Sequence, residues 1–208
     1  YWIANTILVR QPDGYAQMGL FNAANQWRAA VLYLTGILAS LTLPILTNLR
    51  GSGDLKRYRQ LFLGNVLAVF LTSMAAVVPL ALLAPYIMSW YGPEFAHGWP
   101  VLLRLLAVAA LFAVNGALGQ LLSSSGRMWQ AFALSAVWAA VLLSAAWTWQ
   151  FRGAWGLADA QLLSFAVYTA LTGIYCWRQL RRTATVPQEA IMNTIPASMP
   201  ATLPATTQ

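Results

Sequence analysis

Charge is scarce in this chain. Only 8% of its 208 residues are Asp, Glu, Lys or Arg, whereas a soluble domain carries about 25%. A water-exposed surface cannot be assembled from such a list, which excludes a soluble globular domain, and disorder and a coiled coil fail on the same count. There is one cysteine, Cys176, inside an apolar run, so no intrachain disulfide can form and no redox compartment can be read from it. With one histidine, His97, and five carboxylates set apart from one another, no cluster has metal-ligand or acid–base spacing. A glycine-rich phosphate loop and a nucleophile elbow are also missing. The chain therefore reads as no enzyme, and no cofactor is expected. A net charge of +7 would suit nucleic acid only if the basic residues shared a solvated face. They sit instead in short loops between apolar runs, so no nucleic-acid partner is expected.

What is abundant is apolar length. Hydrophobic residues make up 59% of the chain, and the stretches free of charge are 29–49, 60–93, 105–126, 128–151 and 160–177. About 18 or more uncharged residues suffice for a spanning helix, and runs without apolar–polar alternation exclude a barrel. The expectation is an all-α integral membrane protein whose partner is membrane lipid. Complete spans are placed near 15–47, 61–88, 101–123, 129–150 and 157–177. Tyr1–Val9 precedes the turn Arg10-Gln11-Pro12-Asp13-Gly14 and reads as the second half of a truncated first span. Residues 1–182 then form one transmembrane lobe. Residues 183–208 hold four prolines among Thr and Ala with one charge, and read as a disordered tail.

Loop charges give an orientation, because cytoplasmic loops collect Lys and Arg. One set of loops holds Arg50, Lys56, Arg57, Arg59, Arg127, Arg178, Arg181 and Arg182; the alternating set holds only Arg10 and Arg152. The first set, with the C-terminus, is expected to be cytoplasmic. Trp90, Trp99, Trp129, Trp147, Trp149, Trp155 and Trp177 fall near span ends, as aromatic belts do.

Two spans carry candidate site residues. At 100° per residue, the helix 15–47 gathers Tyr15, Gly19, Asn22, Asn25, Gln26, Tyr33, Gly36, Ser40, Pro44 and Thr47 within about 60° of one line. Leu20, Ala23, Trp27, Val31, Leu34, Leu38, Leu41 and Ile45 take the other side. Polar groups within a membrane face a cavity or a bundle interior, so this stripe either lines a cavity or packs against neighbouring helices. Arg28 lies on its flank, either as a cation for an anionic substrate or as a side chain snorkelling or paired in the bundle. On the span 101–123, Arg104 and Asn115 share a face about 16 Å apart along the axis. Arg104 either snorkels to headgroups or offers a bidentate grip on a phosphate or acidic sugar. Glu94 and His97 read as solvated loop residues.

Several stretches together resemble the C-terminal lobe of Wzx-type polysaccharide flippases, members of the multidrug/oligosaccharidyl-lipid/polysaccharide exporter superfamily. They are Tyr15–Leu49, Tyr91-Gly92-Pro93-Glu94-Phe95 before a Leu-rich span, the turn Ser125-Gly126-Arg127, and Gly153-Ala154-Trp155-Gly156-Leu157-Ala158. The resemblance covers 1–182 and departs at Asp159, where a small or apolar residue is expected. It implies half of a twelve-helix, two-lobe transporter in a bacterial inner membrane, with a missing N-terminal lobe as partner. It also implies that the transporter flips a polyprenyl-pyrophosphate-linked oligosaccharide by alternating access, with an unidentified coupling ion. A peptidoglycan-precursor flippase or a drug/cation antiporter of the same superfamily are the alternatives. A membrane-embedded glycan polymerase or ligase fits less well, because the outer loops are short.

Overall fold

The computed structural model describes the backbone of residues 1–51, 55–124 and 128–183, and the side chains of 1–37, 60–120, 122 and 129–178. Among the described residues it is helical without a strand. The helices are α1 (Trp2–Val9), α2 (Gly14–Gly51), α3 (Leu55–Leu82), α4 (Ala84–Trp90), α5 (Trp99–Ser124), α6 (Met128–Thr148) and α7 (Gly153–Thr183), with 3-10 turns at Ala96–Gly98 and Gln150–Arg152. Four stretches among the described residues are long and apolar enough to cross a membrane: Gln60–Leu82, Ala96–Gln120, Trp129–Thr148 and Gln150–Arg178. The fifth expected span falls in α2, which at 38 residues is about 57 Å long. The side chains of its charge-free half, from 38 onward, lie outside the described residues, as does the proposed tail beyond 183.

α5 is the lobe's axis. In its apolar window 61% of residues are buried, against 17% in α6. Val101, Leu102, Leu105, Leu106 and Val108 fill its first turns, and Ala109, Ala113 and Ala117 keep its later surface low. Lipid tails are as apolar as leucine, so such small residues stabilise association chiefly by letting backbones approach closely. α2, α3 and α7 pack around α5; α6 covers α7 from outside, and α1 lies against α2 and α6.

Paired side chains fix the register. Arg104 meets Asp159, Asn115 meets Thr169, and Cys176 reaches the Leu118 carbonyl, so α5 and α7 run parallel. Gln17 meets Ala154 and Arg28 meets Gln161, so α2 runs parallel to α7 as well. α3 runs the other way, with Asn65 donating to Gln120 at 3.1 Å. The loops 10–13, 91–98 and 149–153 consequently gather at one end of the lobe.

One expected boundary changes. The span placed at 61–88 ends at Leu82, and α4 begins anew at Ala84. Pro85, in the first turn of α4, has no N–H to donate to the carbonyl of Ala81, and its ring disfavours helical backbone before it. A proline early in a helix loses nothing, so the chain restarts there. α7 is also longer than expected, running to Thr183.

The turn into α7 depends on Gly153, whose φ is +58 and whose ψ is −139. The Gln17 amide oxygen accepts the Ala154 N–H at 3.0 Å, and a Cβ on Gly153 would lie 2.6 Å from that oxygen. Gln17 could swing away, but only by giving up this bond, and the backbone strain would stay. Gly153→Ala should therefore cost about 1–3 kcal/mol, read as a lower thermal midpoint in detergent. An unchanged midpoint would show that the turn adopts another conformation.

Candidate functional site

The face of α2 that carries the amides and tyrosines points away from the rest of the lobe. Asn22 and Gln26 are exposed, and Tyr33 is 73% exposed where Val31, on the opposite side, is 1% exposed. The Tyr91 hydroxyl donates to Gln26 Oε1 at 3.2 Å, which ties the 91–98 loop to the stripe. Phe21, Ala24, Val31 and Thr35 turn inward. Over residues 15–37, where the side chains are described, α2 has an exposed and a buried side, and the exposed arc is rotated from the expected stripe. Leu34 and Ile37, half or more exposed, lie on the outward arc, although Leu34 was expected opposite the stripe. The inward surface is set by contact with α5 and α7, and its centre falls on Ala24 and Thr35 rather than on the most apolar line. Asn25 is half-buried at the margin, its Oδ1 without a partner in the structure. The side chain of Ser40 lies outside the described residues.

Arg28 points into the lobe. Its Nη1 donates to Gln161 Oε1 at 2.7 Å, and its guanidinium carbon lies 5.4 Å from the centre of the Tyr1 ring. Gln161 is fully buried and its Nε2 has no partner, nor has Arg28 Nε. Among the described residues, then, this cation is met by an amide and an aromatic face rather than by a carboxylate. A cation over a desolvated ring gains about 2 kcal/mol, less than burial of a charge costs.

Arg104 is differently placed. Its Nε donates to Asp159 Oδ1 and its Nη1 to the Pro100 carbonyl at 2.9 Å. The Trp155 ring lies 4.9 Å from its guanidinium carbon. Asp159 Oδ2 also stands 3.5 Å from Arg152 Nη1, so one carboxylate bridges two guanidiniums. Two of the donors that would grip a phosphate are thus already engaged by the protein. Asn115, expected on the same face, is buried in the seam between α5 and α7; its Nδ2 donates to Thr169 Oγ1 at 2.7 Å and to the Leu111 carbonyl at 2.9 Å. The structure does not bring Arg104 and Asn115 into one site with the α2 stripe.

Helical periodicity within one span names none of Gln161, Thr169 and Asp159 as a partner. A signal for Asp159 existed: Arg104 is five residues into α5 and Asp159 six residues into α7, so two parallel helices carry opposite charges at matching depth. The amide and hydroxyl partners gave no such signal, because Gln and Thr are as common on packed faces as on open ones.

No known family profile matches the chain, and no solved structure does. Among curated proteins it is similar to the EPS I polysaccharide export inner membrane protein EpsE of Ralstonia nicotianae, 33% identical over 142 residues. The protein of the same name from Ralstonia solanacearum is 32% identical over 138 residues. Each match takes in 66% of this chain but only 31% of the relative. The chain thus spans about a third of the length of two proteins named for polysaccharide export.

Proposed function

We propose that the chain is one membrane lobe of a polysaccharide exporter, and that the whole protein moves a lipid-linked oligosaccharide across the inner membrane by alternating access. The observation that carries this reading is the outward-facing polar arc of α2. Amides exposed to hydrocarbon cost free energy with nothing in return. Asn22, Gln26 and Tyr33 therefore belong against water, a polar ligand or further protein. A glycan offers hydroxyls that such groups can bond, and a second lobe rocking against this one would enclose it. The relatives' names supply polysaccharide export and the inner membrane. Loop charge supplies the orientation, with the 50–59 loop and the C-terminus cytoplasmic and the 10–13, 91–98 and 149–153 loops outside.

Within this reading Asn22, Gln26 and Tyr33 touch the glycan, with Asn25 and Ser40 on the same face. Arg28, on the flank of that face but turned into the lobe, would meet the diphosphate only by leaving Gln161. Arg104 and Asn115 act from within the lobe, holding α5 to α7, so that a substrate phosphate could reach Arg104 only by displacing Asp159. The protein carries its cargo and catalyses no covalent step.

The test is export by the full-length protein with Asn22→Leu and Gln26→Leu combined. Both changes keep the surface exposed and remove its amides, each amide bond being worth about 1 kcal/mol. Export should fall about tenfold or more at normal membrane abundance. Normal export by the double variant would remove the α2 arc from the transport path.

A further inference from the structure

The three loops gathered at one end of the lobe enclose a cleft of about 510 Å³, within the range of roughly 300–1,000 Å³ usual for small-ligand sites. Close packing at two glycines holds the loops that form it. A Cβ on Gly14 would lie 2.3 Å from the Val9 carbonyl oxygen, and one on Gly98 would lie 2.5 Å from Leu20 Cδ1. Across the rim, Gln11 Nε2 donates to Gln150 Oε1 at 2.9 Å, closing the first loop onto the third. Asp13, in the wall, has φ +59, the only positive φ outside glycine among the described residues. A strained backbone of this kind persists only where its surroundings impose it.

The charges on these walls are unlike those elsewhere on the lobe. Asp13 and Glu94 both line the cleft, whereas the lining cation, Arg152, is already 3.5 Å from Asp159. Two unanswered carboxylates repel phosphate and acidic sugars. They suit hydroxyl pairs, which a carboxylate binds with charge-assisted hydrogen bonds, and they suit ammonium groups still better. Phe151 is 84% exposed beside them and Trp155 is partly exposed, offering flat apolar surface to the C–H face of a sugar ring.

We propose that this cleft binds sugar residues without acidic substituents, neutral or amino-bearing, on the outer side of the membrane. The source of the glycan rests on the export reading; the chemistry of the cleft does not. A glycan would then meet two unlike surfaces, a carboxylate-lined one outside and the amide arc of α2 along the span.

The test is calorimetric titration of the full-length protein in phosphatidylcholine nanodiscs with chitosan trisaccharide, maltotriose and pyrophosphate. Both saccharides should bind saturably, the amino sugar more tightly, and pyrophosphate should give no heat that depends on the cleft. Asp13→Asn with Glu94→Gln should weaken the chitosan trimer about tenfold or more, because both charge-assisted bonds are lost. Asn tolerates the left-handed backbone at 13, so the loop keeps its shape. Phe151→Ala should weaken maltotriose. The proposal is overturned if neither saccharide binds, if binding is indifferent to all three substitutions, or if pyrophosphate binds through Arg152. It is overturned too if phosphatidylethanolamine in the discs abolishes saccharide binding, since a lipid headgroup would then be the occupant. Intact export without saccharide binding sinks the cleft alone, and saccharide binding with export indifferent to the α2 amides sinks the export reading alone.

Discussion

Replacing Asp159 with Asn should destabilise the lobe by about 2–4 kcal/mol, among the largest effects of any single side chain here. The carboxylate is the counter-charge for Arg104 and stands near Arg152 as well. Removing it leaves two guanidiniums facing each other at the end of α5 and α7, one of them flanked by the Trp155 ring. The side chains of Arg104 and Asp159 are 28% and 21% exposed. Water therefore screens part of the loss, and the cost falls below that of a fully buried pair. Arg104→Met alone should be nearly as harmful, because Asp159 would keep only the longer contact to Arg152. The double variant Arg104→Met/Asp159→Asn should recover most of the stability, since removing both partners removes the uncompensated charge. Arg152→Gln should cost less than about 1 kcal/mol, as exposed pairs do. Thermal midpoints and membrane abundance of the four variants measure this. Additive losses in the double variant would show that the two side chains do not act as a pair.

The same pair shows what the sequence made legible. Apolar length alone locates four of the expected spans, because a lipid-spanning backbone must bond to itself and needs about 20 residues to do so. Composition also marks α2 as two-faced. It does not say which helices are neighbours. Arg104 had two readings, snorkelling or gripping a ligand, and the answer is an acidic residue 55 positions away that only the parallel packing of α5 and α7 delivers. Asn115 shared a face with Arg104 on paper, yet that face is a seam. Polarity in a membrane helix is equally well satisfied by a neighbour's hydroxyl, here Thr169, as by a cavity. The split after Leu82 lay within reach of local chemistry, since Pro85 was visible. A charge-free run of 34 residues, 60–93, masked it, because hydropathy does not register a missing N–H. The cleft was hidden for a third reason: its walls come from three loops, each unremarkable alone; Glu94 and His97 are exposed, as solvated loop residues are, and only the fold sets Asp13 and Arg152 beside them.

Cysteines placed around α2 should divide into two classes in the full-length protein. If the polar arc faces an aqueous path, Asn22→Cys and Gln26→Cys should react readily with a small membrane-impermeant thiol reagent. Val31→Cys, turned into the lobe, should stay unmodified. Leu34 is a poor choice of protected control, because it sits on the exposed arc. It is instead the discriminating position: bordering lipid it should react slowly, since a thiolate does not form in hydrocarbon, and bordering water it should react like Gln26→Cys. Cys176 is buried, with its thiol toward the Leu118 carbonyl, so it should give little background; Cys176→Ala removes what remains. A glycan in the path should shield Asn22→Cys and Gln26→Cys together, so their labelling should slow in cells accumulating the lipid-linked precursor. Protection of both at all times, equal to that of Val31→Cys, would mean that the arc is sealed against protein, and the amides of α2 would then be an interface between lobes rather than a lining.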